Sequence, residues 1–130
     1  MKKYSSLLLI MALILMVGTA STMKKEKPVY AFGIAASFND SIVYYTEIQP
    51  LDSVQLKKGF LPQRDQYSYQ LKNYLEFERQ KPNYTCMIYF SENKAKLDKE
   101  ARKVMAKYKK SKMKLEAISP ELFSFKKPEE

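Results

Sequence analysis

The chain has 130 residues, with 23 Lys and Arg against 14 Asp and Glu, a formal charge of +9. It has no His and one Cys, which excludes His-dependent nucleophile systems, the familiar zinc spacings and an internal disulfide. Three glycines, Gly18, Gly33 and Gly59, leave no Gly-rich phosphate loop.

The first twenty residues have the three parts of a secretory signal peptide: basic Met1-Lys2-Lys3, apolar Leu7 to Val17, and small Gly18-Thr19-Ala20. They predict a hydrophobic signal helix, cleavage after Ala20, and export to the periplasm or cell envelope. The alternative is an uncleaved N-terminal anchor, because Leu7 to Met23 carries no charge and approaches the length of a membrane span. Membrane contact follows only in that case. A lipid-modified amino terminus is not expected, since it needs a Cys just after the apolar run and the only Cys is Cys86. Cleavage removes Lys2 and Lys3 and lowers the charge from +9 to +7.

Residues 21–27 are polar and charged, a flexible leader. A single domain is expected over 28–125, followed by a polar tail, 126–130. Val29 to Phe38 is apolar on both faces, with Tyr30, Phe32, Ile34, Ala36 and Phe38 on one and Val29, Ala31, Gly33 and Ala35 on the other. That is an inner strand with one crowded, small-residue side. Asn39-Asp40-Ser41 signals a turn into a second strand, Ile42 to Ile48, and Pro50 ends the hairpin. Leu51 to Leu61 reads as an irregular connection. A helix follows, starting between Pro62 and Asp65 and ending around Arg79, with Tyr67, Leu71, Tyr74 and Leu75 as its buried face and Phe77 widening it.

Thr85 to Phe90 is a short apolar run, the pattern of a strand covered on both faces, and Cys86 in it reads as a small hydrophobe. Ser91 is the expected N-cap of a long basic helix reaching Lys110, with Glu92 in its first turn. Leu97, Ala101, Val104, Met105 and Tyr108 form its apolar stripe. Met113, Leu115 and Ala117 alternate with Lys114 and Glu116, a half-buried edge strand. Ser119-Pro120-Glu121 starts a single helical turn through Phe123. The expected fold is α+β: a small mixed sheet in the order β-β-α-β-α-β with helices packed on it, the last β-α-β crossover being right-handed. Strand order is open.

Between Glu92 and Lys110 eight basic residues face three acids. Lys96, Lys99, Lys103, Lys107 and Lys110 oppose the apolar stripe and are candidates for an anionic-surface patch, the bland alternative being a solvated helix face. Lys outnumbers Arg and no aromatic interleaves, so no specific nucleic-acid partner is expected. Asp98 with Arg102, and Glu100 with Lys96, read as exposed ion pairs. Ten Tyr and seven Phe, with only Tyr4 in the expected signal peptide, exceed what a small core needs and offer a binding patch or rim hydroxyls. The expected function is an exported, non-catalytic binding or structural module of the cell envelope. It needs no cofactor and no metal, and its candidate partners are an envelope protein or an anionic polymer. The alternatives are a small hydrolase or nuclease-like enzyme using carboxylates gathered by the fold, for which a pocket at Asp40, Asp52 or Asp65 would be the sign, and a binder of anionic surfaces through helix 92–110.

Two resemblances rest on particular residues. Tyr30-Ala31-Phe32-Gly33-Ile34, the hairpin ending in Tyr44-Tyr45 and a helix bearing Arg64 resemble the start of the GIY-YIG nuclease fold, over about a third of the chain and without either signature tripeptide. That resemblance implies a catalytic role for Arg64 and places no metal-binding Glu. The signal, Phe38-Asn39-Asp40-Ser41, the run Arg64 to Leu71 and the basic last helix make the chain similar to short exported proteins of anaerobic Gram-negative bacteria, which implies export and no particular activity. Against that background Asp40-Ser41-Ile42 and Asp52-Ser53-Val54 are similar to an O-glycosylation acceptor, with Ser41 and Ser53 as the modified residues.

Overall fold

The structure is a computed structural model and describes residues 27–129. The expected signal peptide and most of the leader lie outside the described residues. The elements are strands β1 (Val29–Ala36), β2 (Ile42–Thr46) and β3 (Gln49–Leu51), helix α1 (Arg64–Asn73) continued by a π-helical turn (Tyr74–Glu78), strand β4 (Thr85–Ser91), helix α2 (Lys94–Lys110) and strand β5 (Lys114–Ile118). They form a mixed α+β fold around a five-stranded sheet.

β1 is the centre of the sheet, as its two apolar faces require. β4 runs antiparallel along one edge of it, from Tyr30 opposite Ser91 to Ala36 opposite Thr85. β2 and β3 share the other edge. Their registers on β1 differ by one residue, so β2 and β3 are one strand broken by a β-bulge at Glu47 and Ile48. The bulge is filled by a side chain: Thr46 Oγ1 accepts a buried hydrogen bond from the Gly33 N–H at 2.8 Å. Without it that N–H would be buried and unpaired, at a cost of about 1–3 kcal/mol. Pro50 therefore does not end the hairpin but lies within β3, opposite Tyr30. β5 pairs in parallel with β2. The spatial order is β4, β1, β2, β5, so the connection through α2 joins strands at opposite edges.

α1 covers one face of the sheet and α2 the other. Tyr67, Leu71 and Leu75 meet Val29, Ala31, Ala35 and Tyr44 on the α1 side. Complete burial of Leu71 contributes about 1.5–3 kcal/mol. The small-residue side of β1 is there because the helix is close: a Cβ on Gly33 would stand 2.8 Å from Leu71 Cδ2 and 3.0 Å from the Phe125 ring. Phe77 does not widen the buried face and is 73% exposed, since residues two apart on a helix do not point the same way. On the α2 side Phe32, Ile34 and Val43 bury Leu97 and Ala101. Phe38 is not part of that face: β1 stops at Ala36 and Phe38 stands in the turn, fully exposed.

The cap of α2 differs from the expectation. Ser91 is still paired with β1, so Asn93 caps the helix and its side chain accepts from the Lys96 N–H at 3.1 Å. Ser91 Oγ accepts from the Asn93 N–H, and Glu92 precedes the cap. After β5 the chain makes one turn on Ser119 and lays Phe123 and Phe125 onto the α1 side of the core. Two side-chain amides hold this segment as a strand would. Gln49 accepts from the Phe125 N–H at 2.9 Å and donates to the Phe123 carbonyl, and Gln70 accepts from the Lys126 N–H and donates to the Lys126 carbonyl.

Candidate functional site

The acids singled out in the sequence do not converge. Asp40 caps the β1–β2 turn: Oδ1 accepts from the Ile42 N–H at 3.2 Å and Oδ2 from the Tyr84 hydroxyl at 3.0 Å. That hydroxyl bond, with the Ile42 N–H and Lys81 at 3.7 Å, holds the carboxyl below the usual carboxylate range. Tyr84 is buried, and desolvation together with Asp40 pushes its phenol well up. Beside it Arg79 lies over the Tyr44 ring and pairs with Glu116 at 2.7 Å, tying β5 to the π-helical turn. Every member of this group is engaged by another, which makes it a fastening. Asp52 and Asp65 are exposed, in a turn and on the first turn of α1, and Asp65 borders a shallow hollow with Ser68, Tyr69, Lys72 and Thr85 in which it is the one carboxylate. Among the described residues no three His, Cys, Asp or Glu side chains gather as a metal site would need.

Lys96, Lys99, Lys103, Lys107 and Lys110 are all exposed along α2, and none forms an ion pair with a described residue. Asp98 pairs with Arg102 as expected. Glu100 does not pair with Lys96 and faces a groove instead. Ser41 and Ser53 are exposed in turns, and their carbonyls accept from the Lys114 N–H and the Lys127 ammonium. The tyrosines divide: Tyr44 and Tyr67 are buried, Tyr45 is half-buried on the α2 side, and Tyr69 is 57% exposed.

That groove is at β4. The strand was expected to be covered on both faces, yet only Ile88 is buried, and Met87 is 40% exposed. β4 is an edge strand. Among the described residues it pairs with β1 alone, and its outer side carries a row of unpaired backbone N–H and C=O groups. Its side chains alternate, with Cys86, Ile88 and Phe90 toward α1 and Met87 and Tyr89 toward α2. A groove of about 370 Å³ runs along this edge, with Arg64 and Ser68 of α1 as one wall and Glu100 of α2 as the other. A second hollow continues it past Ser68 to Tyr69 and Thr85, and a third meets it at Phe90. Cys86 lies in the floor, where burial pushes its thiol up to about 11, so it is a packing group. The seven residues of β4 include no Lys, Asp, Glu or Pro, so the edge has none of the usual side-chain protections of an edge strand.

Comparison of the chain with family models, with curated proteins and with solved structures found no match.

Proposed function

We propose that this is an exported, non-catalytic binding module of the cell envelope that docks an extended segment of a protein partner along β4. The observation that carries it is the bare, uncharged outer edge of β4 lying in a groove between the two helices. An added strand would satisfy the free backbone groups, and the hollows on either side would take alternate side chains. The signal-like leader supports the envelope as the place. The hydrolase reading finds Arg64 and Glu100 in this groove and Asp65 in the hollow that continues it. Acid–base hydrolysis by a carboxylate pair needs two in one pocket, and Glu100 and Asp65 line separate hollows. Binding of anionic surfaces through α2 is a second reading, favoured by the five exposed lysines. Their spread along a helix without aromatics gives weak, salt-sensitive contact only.

The test replaces Thr85 and Met87, both exposed, by Lys, which protects an edge strand. Crosslinking in the native envelope should capture a partner with the wild type and lose it with this variant, at unchanged melting temperature. A partner retained by the variant would remove β4 from the reading. Amino-terminal sequencing of the native protein should begin after Ala20. A start at Met1 in membrane extracts would replace export by anchoring.

A further inference from the structure

The walls of the β4 groove carry opposite charges, and both are uncommitted. Arg64 on the α1 wall and Glu100 on the α2 wall form no ion pair with a described residue, and the other charges on the α1 side, Asp65 and Lys72, stand together in the hollow beyond Ser68. The floor between them, Cys86 to Phe90, has no charge. Resting on the strand-docking reading above, we propose that the occupant is a single extended polypeptide segment in which an acidic residue adjoins a basic one, the acid meeting Arg64 and the base meeting Glu100.

The pattern follows from strand geometry. Successive side chains of a strand point to opposite faces, so two neighbouring residues reach the two walls at once. An acid paired with an acid sends one of them to Glu100, and two bases send one to Arg64. An uncharged pair leaves both wall charges without a partner. A one-residue slip reverses the faces, so the presence of both signs matters and their order does not.

A lone segment brings no helix of its own to the edge, whereas a second copy joined edge to edge would bring its α1, which packs on both β4 and β1, beside the first.

The test uses four acetylated, amidated peptides as long as β4, seven residues, built of Thr and Val with a central pair of Glu-Lys, Glu-Glu, Lys-Lys or Thr-Thr. Binding to the full chain is followed by fluorescence anisotropy and by hydrogen exchange of the β4 amides. The Glu-Lys peptide should bind about fivefold more tightly than the others and slow exchange along β4. Arg64→Glu should shift the preference to Lys-Lys, Glu100→Lys should shift it to Glu-Glu, and the double variant should return it to Glu-Lys. Equal binding of all four peptides, with β4 amides slowed, overturns the charge pattern and leaves strand docking standing. No binding and no slowing overturn both. A sedimentation mass of two chains, with β4 protected in the absence of peptide, makes a second copy the occupant and overturns the proposal.

Discussion

β5 closes one side of the sheet with Lys114 and Glu116 among its residues, whereas β4 closes the other with seven residues that carry no charge. At β5 the edge is protected by its own side chains: Glu116 is held by Arg79, and an incoming strand would have to bury both charges. At β4 the protection is architectural. α1 and α2 stand on either side of it as the walls of the groove. The pairing of a guarded edge with an open, walled one marks β4 as the edge to which the proposed partner strand would add.

The comparison breaks hardest on the α1 side. Leu71 fastens the α1 wall to β1, so Leu71→Ala should cost about 2–5 kcal/mol and lower the denaturant midpoint accordingly. A loss under ~1 kcal/mol, the scale of an average substitution, would mean that the wall is held elsewhere. The guarded edge can be opened next. Lys114→Val with Glu116→Val should give a chain whose mass by light scattering rises with concentration, while the wild type is unchanged over the same range. A monomeric double variant would show that β5 is guarded by something other than charge.

Acid should probe the turn between the two sides. The Asp40 carboxyl is held below its ordinary value of about 3.9, chiefly by the Tyr84 hydroxyl, so its contribution is present above that value and is lost as pH falls through the folded one. Melting temperatures from pH 6 to pH 2 should therefore fall less steeply for Asp40→Asn than for the wild type, and parallel curves would contradict the assignment. The smallest effect belongs to α2. Lys99, Lys103 and Lys107 are exposed, and replacing each by Glu should change stability by only ~0.5 kcal/mol. Neither form should bind heparin-like polymers or anionic vesicles strongly near physiological salt. Micromolar binding by the wild type that vanishes in the triple variant would move the functional surface from β4 to the helix.

Much of this was legible where periodicity is strong. The two faces of β1, the β1–β2 turn and the apolar stripe of α2 stand where the residue pattern puts them. β3 was hidden because a bulge puts Glu47 and Pro50 where a strand pattern should continue, and the compensation is a threonine hydroxyl that reads as ordinary polar sequence. The C-terminal strap was hidden in the same way. Gln49 and Gln70 read as solvent-facing residues, yet they serve as backbone substitutes for Phe125 and Lys126. The apolar run at β4 was visible, but its place at an edge was not. An apolar strand is equally consistent with the middle of a sheet, and only the pairing of β5 with β2 leaves β4 outermost. Glu100 was misassigned because i−4 spacing to Lys96 offers an ion pair that the groove geometry does not use.

The central position of β1 also sets a timetable. It is the earliest described strand, and its long partner β4 comes after the whole of α1. The contact that fastens the strap, Gln49 with Phe125, joins residues 76 apart in sequence. Loops of that span must close before their contacts contribute, so this chain should fold more slowly than a helical bundle of its length. During that interval the β1–β2 hairpin is complete on one side and bare along the side that β4 later takes. Refolding is then a race between β4 and any other strand in solution, and dilution decides which of them arrives first.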